Sequence, residues 1–216
     1  MKIRVGELRR LVREAMKHPS EMQGLALFVP DDAMFVLYAP SDLKKELRFH
    51  ASRKIMAPER SATFAFTSCV VAALELEPFG SDSLRVSHVW SSERGYGSFL
   101  YDVAMKLTGK SLVRGEKTSS SAMNVWNKYA GRSDVVVSGD DDTLQVTPGP
   151  GFRADFNLDG LLTAHQDCMD FLLKSAEVAG MLSSALGKDV LTQGDIENFF
   201  KRKCSSLLVD AVKTGY

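Results

Sequence analysis

The sequence predicts a mixed α/β (α+β) domain that opens with antiparallel strands and closes with a helical hairpin. Apolar residues between 25 and 77 run in short stretches cut by turn residues, which marks strands. Between 84 and 147 strand patterns alternate with helix patterns, and after the Pro/Gly stretch at 148–151 only helical spacing remains. The 216 residues (23.8 kDa) are 44% hydrophobic and 25% charged with a mean hydropathy of -0.10, proportions that exclude disordered, fibrous and membrane-spanning classes. Twenty-seven basic residues balance 27 acidic ones, so no overall field draws the chain to nucleic acid or anionic lipid, and any such partner must be held by a local patch.

Residues 2–17 set Lys2, Arg4, Arg9, Arg10, Arg13 and Lys17 against Glu7 and Glu14, with Val5, Leu8, Leu11, Val12 and Ala15 at helical spacing. This predicts a basic amphipathic helix ending at Pro19. The chain therefore divides into a basic helix over 1–20, a main domain over 21–150 and a helical extension over 151–216. The two glutamates count against a targeting peptide.

Apolar runs at 25–29 and 33–38, joined by Pro30-Asp31-Asp32, read as two strands around a tight turn. The charged stretch 41–57 reads as a helix or loop that Pro58 ends. Residues 63–77, with Phe64, Phe66, Cys69, Val70, Val71, Leu74 and Leu76, read as β-rich up to Pro78-Phe79-Gly80. Leu84, Val86, His88 and Trp90 alternate with Arg85, Ser87, Val89 and Ser91, giving a strand with two distinct faces. A helix over 97–107 stopped by Gly109, a short strand at 111–114, a helix over 120–129 and a hairpin of 135–138 with 144–147 follow. In the extension one helix pattern covers 159–186 and runs out at Gly187. A second starts at Thr192, where Asp195 makes a capping box with Asp in place of Glu.

Cys69, Cys168 and Cys204 are odd in number and widely spaced, which disfavours a disulfide framework or a thiolate zinc site and fits a reducing cytoplasm. No apolar run reaches the ~18 residues of a membrane span. Gly109-Lys110-Ser111 looks like the end of a P-loop, but the position that needs glycine is Ala104, inside a helix. Asp140, Asp141 and Asp142 read as a turn rather than a cation site, and His165 with Cys168 lacks a second ligand pair, so no metal is expected. No serine, histidine and acid set forms a hydrolase elbow.

Chemistry concentrates at 86–105, where a strand runs through Ser92, Glu93, Arg94, Gly95, Tyr96 and Gly97 into a helix. A helix start offers backbone N–H groups without intrahelical partners and the positive end of the dipole, and the two glycines let a diphosphate approach the backbone. Gly95→Val is accordingly expected to abolish diphosphate binding and leave the fold nearly intact. This stretch resembles the acyl-CoA signature of the GNAT N-acetyltransferase superfamily, in which Arg or Gln, two residues, Gly, one residue and then Gly or Ala open the helix after the fourth strand. Both glycines match, Ser92 stands at the Arg or Gln position, and Arg94 precedes the first glycine. In the next helix Ser119, Ala122, Val125 and Trp126 fall where the family commonly carries Asn, Ala, an apolar residue and Tyr, with Gly131-Arg132 following in place of Gly-Phe. The opening residues 1–11 also resemble the starts of uncharacterised phage proteins.

The resemblance covers residues 25–147. It implies a mixed, mostly antiparallel central sheet flanked by helices, whose fourth and fifth strands splay apart around an acyl-pantetheine arm. Acetyl-CoA or another acyl-CoA is the implied co-substrate. Trp90, Ser91 and Ser92 would line its arm, Glu93, Arg94, Gly95, Tyr96, Gly97 and Ser98 its diphosphate, with Ser119 on the arm and Trp126 at the position of the tyrosine that often protonates the CoA thiolate.

The implied reaction is attack of an amine on the thioester, which needs a base for the ammonium proton and donors for the developing oxyanion. Glu75, Glu77 and His88 are candidate bases, and Tyr129 is the phenol nearest the expected acid position. Each has a plainer reading. Glu75 and Glu77 alternate with Leu74 and Leu76 and suit a solvent face, His88 shares a face with Val86 and Trp90 and suits a core histidine, Tyr129 suits the core, and Ser119 suits a helix N-cap. The acceptor is a small-molecule or protein amine, nucleic acid is a further partner through the basic helix, no membrane is expected, and the helical hairpin packs on the domain or makes a homodimer contact. Two rivals keep the fold. One modifies a nucleobase or protein lysine with Arg9, Arg10 and Arg13 as docking face. The other is a binding or structural module without turnover, since Ser92, Trp126 and Arg132 depart from the family pattern.

Overall fold

The computed structural model describes residues 22–92, 95–116, 118–140, 143–152 and 156–213. The sequence-predicted basic helix with Arg9, Arg10 and Arg13 lies outside these residues, as do Glu93, Arg94, Asp141 and Asp142. The strands are β1 (Ala26–Asp31), β2 (Met34–Tyr38), β3 (Val70–Pro78), β4 (Ser83–Ser91), β5 (Ser111–Val113), β6 (Val135–Ser138) and β7 (Gln145–Pro148). The helices are α1 (Pro40–Arg53), α2 (Pro58–Ser68), α3 (Tyr96–Thr108), α4 (Ser120–Tyr129), α5 (Leu158–Lys174), α6 (Ala176–Leu186) and α7 (Gln193–Lys213). All strands join one sheet in the order β1-β2-β3-β4-β5-β7-β6. Every neighbouring pair is antiparallel except β4 with β5, which are parallel around the crossover helix α3. No described helix is long and apolar enough to cross a membrane.

Helices cover both faces of the sheet. Phe28, Met34, Val36, Tyr38 and Ala73 pack under α1, α2, α6, α7 and the later turns of α5, while Leu27, Phe35, Leu37, Leu74, Leu84 and Val86 pack under α3 and α4. Burial on two faces is why β2 is buried at every residue and why these antiparallel strands read as continuous apolar runs instead of alternating ones. Each large apolar side chain so buried contributes about 1.5–3 kcal/mol.

Three local features depart from the sequence reading. First, the β-rich interpretation of 63–77 holds only from Val70, because Pro58–Ser68 is helix. Pro58 occupies the first helical turn, where its missing N–H has no partner to lose, so it starts α2 instead of ending α1. Ser61, Ala62, Ala65 and Phe66 form its buried stripe at helical spacing, and Phe64, whose β-propensity pointed to a strand, is 50% exposed.

Second, β4 breaks its alternation. Leu76 lies opposite Val86 and Glu75 opposite His88, so Ser87 is an extra residue, a β-bulge. Val86 therefore joins the α3 face, whereas Trp90 packs with the α7 side, and the expected sharing of one face by Val86, His88 and Trp90 is corrected. Third, the helical pattern of 159–186 divides at Ser175, whose extended backbone (φ -78, ψ 103) ends α5 and begins α6. Asp195 N–H donates to Thr192 Oγ1 (3.2 Å) and Thr192 N–H donates to Asp195 Oδ2 (3.1 Å), the reciprocal bonds of a capping box at the start of α7.

Candidate active site

β4 and β5 pair only at Ser83 with Ser111, Leu84 with Leu112 and Arg85 with Val113. β5 then ends while β4 continues to Ser91, so among the described residues β4 has no strand partner on that side from Val86 onward. Gly115 sets the fork. A Cβ there would lie 2.3 Å from the Val86 carbonyl oxygen, so only glycine lets the chain leaving β5 pass β4 this closely. On its other edge β4 stays paired with β3 as far as Ser91 opposite Ala72.

The open edge leads into α3. Gly95 is its N-cap at φ 101, and as glycine it brings no side-chain cap of its own. Ser98 Oγ donates to the Gly95 carbonyl (2.9 Å). A Cβ on Gly97 would stand 3.5 Å from Val89 Cγ2 and 3.9 Å from Ser91 Oγ, which fixes the helix start beside the end of β4. Ser92 is drawn toward β3, its N–H and hydroxyl both donating to the Val71 carbonyl (2.9 and 3.1 Å). The positive φ of Gly95 means that valine there strains the backbone, so Gly95→Val perturbs folding as well as any ligand, contrary to the expectation of a nearly intact fold.

On the opposite face two of the candidate bases form one pair. His88 Nδ1 lies 3.0 Å from Glu75 Oε2, and Ser205 Oγ of α7 donates to Glu75 Oε1 (3.3 Å). Their side chains are 31% and 28% exposed, so the pair is reachable from solvent. A carboxylate in this position orients the imidazole ring. Glu77 is instead exposed and lies 3.8 Å from Arg85, a surface pair of little energetic weight.

α4 reaches the start of α3, where the Tyr129 hydroxyl lies 3.4 Å from the Ser98 carbonyl oxygen. Trp126 is buried against the ring of Tyr101 (5.4 Å between centroids). Tyr129 is buried, and its hydroxyl donates to Asp102 Oδ1 (2.8 Å). Burial, with the Asp102 carboxylate beside it, pushes the phenol well above its ordinary value, so it holds its proton firmly. Arg132 completes the cluster, bonding both oxygens of Asp102 (2.8 and 2.9 Å) and both of Asp134 (2.9 and 2.8 Å). Ser119 caps α4, accepting the Ala122 N–H (3.3 Å).

The structure thus brings Glu75 of β3 and His88 and Trp90 of β4 onto one face of the sheet and sets Ser91 at the end of β4 beside Gly97 in the first turn of α3, which Gly95, Tyr96 and Ser98 share. It puts Trp126 and Tyr129 into the core. Ser205 and the Asp102–Arg132 cluster carried no sequence signal, since each acts through partners distant in the chain. Among the described residues no group of His, Cys, Asp and Glu is placed to hold a metal ion. No protein family, curated protein or solved structure matches the chain.

Proposed function

We propose that the protein transfers an acetyl or other short acyl group from acyl-CoA to an amine. The observation that carries this reading is the unpaired edge of β4 ending beside the glycine-capped start of α3. Such a track offers strand donors and acceptors to an amide-bearing arm and then helix N–H groups to a diphosphate. Trp90 and Ser91 flank the arm, while Gly95, Tyr96, Gly97 and Ser98 surround the diphosphate. The thioester lies in the fork between β4 and β5, within reach of the face that bears Glu75 and His88. His88, steadied by Glu75, takes a proton from the incoming ammonium. The nitrogen then bonds to the acyl carbon, the C–S bond breaks with its electron pair leaving on sulfur, and the second proton lost from nitrogen ends on the thiolate. Backbone N–H groups of the open edge are the donors nearest the developing oxyanion.

The test is release of CoA thiol from acetyl-CoA across a panel of amines at several pH values, with Glu75→Gln and His88→Gln alongside. Each variant is expected to lower kcat by roughly 10²–10⁴-fold. Unchanged rates in both would put the base elsewhere. One observation favours a binding module without turnover, namely that the Tyr129 hydroxyl donates to Asp102 (2.8 Å) and holds its proton there; acetyl-CoA binding without thiol release from any amine would select it.

A further inference from the structure

α1 and α2 are joined by residues 54–57, and every residue from 52 to 60 is exposed. Ile55 (62%) and Met56 (36%) form the apex of this corner, with Phe49 (42%) and Phe64 (50%) on the two helices behind it. The rings of Phe49 and Phe64 both lie against the buried ring of His50 (5.4 and 5.7 Å between centroids), which joins them into one surface. The other exposed large apolar residues, Phe79, Leu107, Val136, Val190 and Val209, lie on five different elements or turns. Such scatter is ordinary for a surface, whereas four gathered at one corner mark a contact.

Part of the corner's backbone is already satisfied. Lys54 N–H donates to the His50 carbonyl (3.0 Å), Ser61 Oγ and N–H donate to the carbonyls of Met56 (3.5 Å) and Ala57 (3.0 Å), and Pro58 has no N–H to satisfy. Bonded backbone costs least to bring into an apolar medium. Basic groups surround the apolar ones. Lys45 and Arg53 lie one helical turn either side of Phe49, Arg60 one turn before Phe64, and Lys54 in the connection. All four are exposed, and none is ion-paired among the described residues. Between 45 and 64 the acidic residues are Glu59, which is exposed, and Glu46, half-buried beside His50 (3.7 Å). The balanced charge that argues against lipid belongs to the chain as a whole, and this corner departs from it.

We propose that the α1–α2 corner docks on an anionic lipid surface. Ile55 and Met56 enter the boundary between headgroups and acyl chains, Phe49 and Phe64 follow, and the four basic side chains meet the anionic headgroups. Two copies meeting corner to corner would set the same cations against one another. An exposed turn gives a partner helix no groove to lie in. Its aliphatic apex also stacks poorly on bases, and Arg53 lies over the Phe49 ring (4.9 Å). The proposal stands apart from the acyl-transfer reading.

The full chain is centrifuged with vesicles of phosphatidylcholine alone and with vesicles containing about one-third phosphatidylserine, each at low and at high salt. It is expected to pellet with the anionic vesicles at low salt, to stay in solution with the neutral ones, and to be released at high salt. Ile55→Ser combined with Met56→Ser, and Arg53→Glu combined with Lys54→Glu, should each weaken vesicle binding at least tenfold, since one basic group near such a surface is worth about fivefold. Both pairs are exposed, so their melting points should match the parent's. Val190→Ser, which removes an exposed apolar residue elsewhere, should bind as the parent does. No pelleting with anionic vesicles, or pelleting that both double variants retain, would overturn the proposal. So would a dimer in vesicle-free sedimentation that Ile55→Ser with Met56→Ser dissolves, or binding of single-stranded oligonucleotide in place of vesicles.

Discussion

Asp102 near the middle of α3 receives two hydrogen bonds from Arg132 and one from Tyr129. Burial pushes its carboxyl above the ordinary range, and the Arg132 guanidinium pulls it only part of the way back. Arg132→Met should therefore destabilise the protein by about 2–3 kcal/mol in urea unfolding, somewhat less than a fully buried pair because the Asp102 side chain keeps 21% exposure. Tyr129→Phe should cost about 1–2 kcal/mol for the lost bond to a charged group and leave the thiol-release rate unchanged; a lower rate at unchanged stability would return the phenol to the chemistry. His165 supplies the pH dependence. It lies between the Tyr38 hydroxyl (3.0 Å) and Glu197 (3.3 Å), and burial lowers its pKa from 6.5 despite Glu197. The unfolded chain then binds this proton first as pH falls, so stability is lost from about pH 6.5 downward. Asp102, raised, acts in the opposite sense as pH falls. His165→Gln retains Asp102, so a flatter stability curve between pH 7.5 and 5.5 in that variant isolates the histidine, and an unchanged slope would exclude it.

The elements legible in the sequence were those whose own residues set them. α4 spans 120–129 as its apolar spacing required, Gly109 ends α3 in the left-handed conformation at φ 66, and Thr192 with Asp195 starts α7. Elements set by their neighbours were not legible. α2 is helical because Ala62, Ala65 and Phe66 pack on the core, overriding the β-propensity of Phe64 and Phe66. The Ser87 bulge follows from the register of β3 against β4, which no single strand encodes. The fork between β4 and β5 likewise depends on one glycine that nothing in its own segment distinguishes. Gly115→Ala should destabilise by about 1–3 kcal/mol, since its Cβ meets backbone and not a movable side chain. Gly97→Ala, whose Cβ would find ordinary contacts, should hold or raise the melting point. Equal melting points for the two variants would mean that β5 can move away from β4 freely.

At the scale of the whole molecule, one sheet separates two chemistries. The α3 face carries the helix start beside the open edge of β4, and the α7 face carries the Glu75–His88 pair. The strand-to-helix half was legible because its two glycines, Gly95 and Gly97, lie two residues apart in the chain. The other half was legible only as scattered candidates, because α7, more than 100 residues farther along, closes over it and supplies Ser205. The claim joining the halves is that the open edge and the α3 start hold an acyl-CoA. Thermal melting of the full chain with excess acetyl-CoA, with desulfo-CoA and ATP in parallel, tests it most directly. Ligand at ~100 times its Kd adds about 2.7 kcal/mol, a rise of roughly 5–10 °C for a chain of this length. A rise with acetyl-CoA and desulfo-CoA but not with ATP is the expected result; no rise at millimolar acetyl-CoA, or an equal rise with ATP, would contradict the claim.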